Sequence, residues 1–141
     1  MNIARIALAS LGGFVAYFVI GGLAFVLIPS LKTEFLKYPA VYRGHEGQMS
    51  NMPLGMIAIY LATLVLAVMY AMLDGGGSGV VEGARFGALI GAFVIFAFVI
   101  HNYVNLNIGW KLTLEQAIAY FIEWLVVGIV IGLIYRPTTI H

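Results

Sequence analysis

Residues 114–135 read LEQAIAYFIEWLVVGIVIGLIY, an apolar run of about 20 residues, which is the length that crosses a hydrocarbon core as a helix. Past its first turn the run holds a single Asp, Glu, Lys, Arg or His, namely Glu123, flanked by Ile122 and Trp124. The reading is therefore a transmembrane helix with a carboxylate well inside the bilayer. An ionisable side chain at such depth costs at least about 2.5 kcal/mol on insertion scales, so it is expected to face a partner, a cavity or another chain rather than lipid.

Three more stretches of similar length and character precede it. They cover about 6–28, 53–73 and 85–104, and together with 114–135 they predict an all-α, integral membrane bundle of four transmembrane helices in a single membrane domain, 1–141. Composition agrees: 62% of the 141 residues are hydrophobic and 9% are charged, against about 25% charged in a typical soluble domain. The first run, Ile6 to Ile28, is longer than the 7–15 apolar residues of a signal peptide and reads as a retained span. The chain is expected to act in or at the lipid bilayer, which is its first partner.

The connections differ in kind. Between the first two spans, Leu31, Phe35, Tyr38 and Tyr42 recur at helical spacing opposite Lys32, Glu34 and Lys37, which predicts a short interfacial helix over 30–38, interrupted by Pro39. Asp74-Gly75-Gly76-Gly77-Ser78-Gly79 reads as a flexible hinge separating two hairpins. Thr113-x-x-Gln116 has the spacing of a capping box for the fourth helix, while Ser50 or Asn51 with Pro53 reads as the start of the second.

Charge excludes several function classes. A net charge of +1 with scattered Lys and Arg offers no polybasic surface for nucleic acid. Without Cys there is no disulfide, thiolate ligand or thiol nucleophile. The glycine run lacks the Lys and Ser or Thr of a phosphate-binding loop, and no nucleophile and base pattern emerges, so the expectation leans away from an enzyme. Arg5, Arg85 and Arg136 lie at one end of the spans and Lys32, Lys37, Arg43 and Lys111 at the other. The counts nearly balance, but the three arginines abut helix ends, where the positive-inside rule weighs most, so the reading leans to cytoplasmic termini in a bacterial cytoplasmic membrane.

Small residues one turn apart mark packing faces: Gly87 with Gly91, Gly128 with Gly132, and Ala9 with Gly13. At 100° per residue Gly128 and Gly132 lie about 140° and 180° around their helix from Glu123, whereas Gln116 shares its face. The fourth helix is thus expected to be contacted on two sides. His101, Asn102 and Asn105, with Asn107, supply polar groups near the end of the third helix that would approach Glu123, forming a buried polar, proton or ligand site. A quinone or redox site there is a lesser expectation. His45, Met49 and Met52 are weak candidates for a soft Cu(I) ion; no cofactor is indicated by a motif.

Two functional readings follow. The first is a non-enzymatic accessory or structural subunit of a larger membrane complex, or a homo-oligomer, with the Glu123–Trp124 pair meeting other membrane protein chains or a second copy. The alternative is a small proton-coupled transporter or channel in which Glu123 titrates.

Overall fold

The computed structural model describes residues 1–136. Its helices are α1 (Ile3–Leu27), α2 (Pro29–Leu36), α3 (His45–Leu73), α4 (Gly79–Asn105) and α5 (Trp110–Tyr135). Four of them, α1, α3, α4 and α5, are long and apolar enough to cross a membrane, and they form the bundle that the sequence predicts, with α2 as the short helix between the first two.

The boundaries move outward, each for a local reason. α3 begins at His45 rather than near 53, with Gly44 at its cap position and Pro53 inside the helix. Ser50 Oγ and Asn51 Nδ2 do not cap it; both donate to the carbonyl of Gly47 one turn back. Proline is tolerated there although it removes one helical donor, because this stretch is exposed and lies near the end of the span. α4 starts at Gly79 rather than 85, since the backbone of Gly79 and Gly83 packs on α5 and that contact outweighs glycine's poor helix propensity of about 1 kcal/mol per residue. α5 starts at Trp110; Thr113 Oγ1 donates to the carbonyl of Gly109 at 3.2 Å and Gln116 is engaged elsewhere, so the capping box does not form.

Both hairpins form, α1 with α3 and α4 with α5, and α5 joins them. α4 packs along one side of α5 and α1 along another, while α3 leans mainly on α1 and reaches α5 only near its own end. The α4–α5 seam is glycine against glycine. A Cβ at Gly83 would stand 2.5 Å from the carbonyl oxygen of Gly128, and one at Gly87 would stand 2.6 Å from that of Trp124; such close backbone approach gains dispersion contacts that lipid cannot replace. Ala9 and Gly13 of α1 meet α5 from the other side, Gly13 against Val127 and Ile131.

Two apolar cores result. The larger gathers Ile6, Ala9, Ala67, Tyr70, Trp124, Val127, Ile131 and Tyr135. The smaller, at the opposite end, gathers Leu31, Ile108 and Leu112 under α2. Tyr70 of α3 meets Tyr135 of α5 edge to face at 5.9 Å. By contrast, from Gly44 to Ala58 every residue of α3 and its cap except Gly47 is exposed.

Candidate functional site

Between the two cores lies a cavity of about 320 Å³. α1 contributes Tyr17 and Gly21, α2 contributes Leu31 and Phe35, and α5 contributes Gln116 and Glu123. Its position follows from the sequence of α1: Gly21 withdraws side-chain volume where a helix wall would otherwise touch Glu123 of α5, and Gly22 lines the space beside it. The space is bounded below by Tyr17, which stacks obliquely on Trp124 at 5.2 Å, and above by α2.

Glu123 is only 4% exposed, yet its carboxylate takes part in no hydrogen bond or ion pair among the described residues. Its Oε1 sits over Gly21, where a Cβ would be 2.5 Å away. The other polar side chains that line the cavity belong to Tyr17, Tyr120 and Gln116. Gln116 Nε2 donates to the hydroxyl of Tyr42 at 3.3 Å, which holds the amide at the α2 end. A carboxylate placed in this way can exchange a proton with the cavity or meet a donor that enters it.

The upper wall is held by ions. Glu34 of α2, buried against α5, accepts from Lys37 Nζ at 2.6 Å and lies 3.1 Å from Lys111 Nζ. These two ammonium groups, Lys37 first, hold the Glu34 carboxyl below its ordinary range, and Glu34 in turn raises Lys37. Beside them Ser30 Oγ donates to Glu115 Oε1 at 2.5 Å, and the Gly109 N–H donates to the Tyr38 hydroxyl at 2.8 Å. α2 and the turn after it are thereby tied to the start of α5 by three polar groups, Ser30, Glu34 and Tyr38, and α2 places Leu31 and Phe35 over the cavity.

Of the residues singled out in the sequence, the structure brings Glu123 and Gln116 together in this cavity. It does not bring the α4 group to them. The buried stripe of α4 runs Gly83, Gly87, Gly91 and Val99, and His101, two residues past Val99, falls roughly opposite that stripe. His101 and Asn105 are exposed, Asn105 Nδ2 donating to the His101 carbonyl at 3.0 Å, and Asn102 is half-buried. Nor does Trp124 look outward: it is buried against α1, so the Glu123–Trp124 pair meets its own chain. His45, Met49 and Met52 lie along the exposed first part of α3. No group of three or more His, Cys, Asp or Glu converges among the described residues.

Tyr17, Gly21, Tyr120 and Phe35 enter the site from outside that set. The Gly21-Gly22 pair at the level of Glu123 is the sequence signal for them, because paired glycines in an apolar span mark a place where something approaches the backbone. Comparison with protein-family models, with characterised proteins and with solved structures finds no match to this chain.

Proposed function

We propose that the chain is a small proton-coupled membrane transporter or channel whose titrating group is Glu123. The observation that carries this reading is the carboxylate without a protein partner, opening into an intramolecular cavity. A structural hydrogen bond would occupy Glu123 with a donor, and a subunit contact would present it on the outer surface of the bundle; it does neither. Protonation at the cavity wall removes the charge that makes burial costly, and release restores it, so occupancy and proton state are coupled.

The test is proton influx into pyranine-loaded liposomes carrying the purified chain, driven by a potassium diffusion potential. Glu123→Gln keeps size and hydrogen bonding but removes titration, and is expected to reduce influx to the level of empty liposomes. A variant of unchanged helix content that keeps the wild-type rate and pH dependence sinks the proposal.

A second reading, association with other membrane chains or with a second copy, is favoured by the bare first half of α3. A transmembrane helix with no neighbour over several turns forgoes packing that a partner helix would supply. Cross-linking through Leu54→Cys in native membranes, where the chain otherwise has no Cys, would give a defined adduct under this reading and none if lipid alone covers the helix.

A further inference from the structure

A second hollow, of about 490 Å³, lies outside the Glu123 cavity between α2 and the start of α3. Its floor is apolar and aromatic, made by Phe25, Phe35 and Tyr42, and its rim carries Lys32, Arg43 and His45. Phe35 packs edge to face on Tyr42 at 4.7 Å and lies 5.9 Å from Phe25, so the floor is a continuous aromatic surface. Charge is sorted across α2. Its acid, Glu34, is buried toward α5 and held by Lys37 and Lys111, and Glu115 is engaged by Ser30. Lys32 and Arg43 are left on the other side with no acidic partner among the described residues. Glu46, the one acid nearby in sequence, is exposed and does not line the hollow. Gln48 Nε2 donates to the Arg43 carbonyl at 2.9 Å, which fixes this segment at the entry to α3.

Cationic groups above an aromatic floor, at the end of membrane spans and beside an uncovered apolar helix, match one occupant in both parts. We infer that this groove binds an anionic phospholipid, its phosphate held by Lys32, Arg43 and His45 and an acyl chain running along the exposed first half of α3. Arg43 supplies a planar fork for phosphate oxygens and Lys32 a point charge, each basic group near a membrane surface strengthening attraction to an anionic lipid about fivefold. The Phe25, Phe35 and Tyr42 rings take the glycerol and upper chain. A free phosphate has no use for that floor, and a zwitterionic lipid gains less from the rim.

The experiment is native mass spectrometry of the purified chain with equimolar dioleoyl phosphatidylglycerol and dioleoyl phosphatidylcholine, which differ in headgroup alone. Phosphatidylglycerol is expected to be retained preferentially, and Lys32→Gln and Arg43→Gln are each expected to lower that preference about fivefold, while Arg85→Gln at the opposite end leaves it unchanged. Equal retention of the two lipids by the wild-type chain overturns the proposal without reference to any variant. So does a preference that survives Lys32→Gln and Arg43→Gln together. Displacement of phosphatidylglycerol by inorganic phosphate at millimolar concentration would assign the rim to free phosphate and reject the lipid.

Discussion

Oε1 of Glu123 on α5 rests over the α-carbon of Gly21 on α1, so near that a Cβ at Gly21 would stand 2.5 Å from it. The atom that would have to move is the far end of a flexible side chain, and the cavity offers it room. Gly21→Ala is therefore expected to cost less than about 1 kcal/mol of stability, below the usual range for overpacking, while pushing the carboxylate into the cavity. Thermal unfolding in detergent should barely change and proton influx should change clearly. A variant with unaltered influx and lowered stability would mean that Gly21 serves packing alone.

Gly83 and Gly128 behave differently because the obstacle there is backbone. A methyl group on Gly83 meets the Gly128 carbonyl at 2.5 Å, and one on Gly128 meets α4 equally closely. The helices must separate along the seam, so Gly83→Ala and Gly128→Ala are each expected to destabilise by about 1–3 kcal/mol or more. Gly22→Ala, where a Cβ meets nothing within 4 Å, is the control and should be neutral or stabilising. Chemical denaturation of the three variants in one detergent ranks them; a neutral Gly83→Ala would contradict the close seam.

The four spans were legible because about 20 consecutive apolar residues have no other economical use. The position of Glu123 opposite Gly128 and Gly132 was equally legible, since helical geometry alone fixes it. Its neighbour was not. Chain order makes α4 adjacent to α5, and His101 and Asn105 were the polar groups within reach, but the stripe of α4 that packs is set by Gly83, Gly87 and Gly91, and this turns His101 away. What faces Glu123 is Gly21, a residue without a side chain and hence without a polar signature. The early start of α3 was hidden for a related reason: Pro53 is read as a first-turn residue wherever sequence alone is considered, whereas the helix already runs from His45.

Acid is expected to loosen α2 before the bundle. Glu34 has its carboxyl lowered from an ordinary value of 4.5 by Lys37 and then Lys111. Its contribution is therefore complete above about pH 4.5 and lost as the pH falls through the lowered folded-state value. Lys37, raised from 10.5, gives the complementary limit: its contribution is complete below 10.5 and lost as the pH rises through its raised value. The chain has no Cys, so an environment-sensitive dye on Thr33→Cys reports α2 alone. Its emission should shift on acidification below pH 4.5 while far-ultraviolet circular dichroism holds, and Glu34→Gln should show the shifted emission already at neutral pH. Constant emission down to pH 3 would show that α2 is held by Leu31 and Phe35 without the ions.

The two tryptophans separate the inside of the bundle from its boundary. Trp124 is buried beside Tyr17 and one residue from Glu123, while Trp110 is half exposed at the start of α5 against Tyr103 at 5.0 Å. In Trp110→Phe the remaining emission is expected to be blue-shifted and insensitive to aqueous iodide, because indole removed from water emits in an apolar environment and the quencher cannot reach it. The same variant then makes Trp124 a reporter of the cavity. Lowering the pH should change its intensity as Glu123 takes up a proton, and this change should vanish in Trp110→Phe combined with Glu123→Gln. Iodide quenching of Trp124 at the rate seen for Trp110 would place its indole in water and dissolve the lower wall of the cavity, and with it the enclosure that makes Glu123 costly to leave charged.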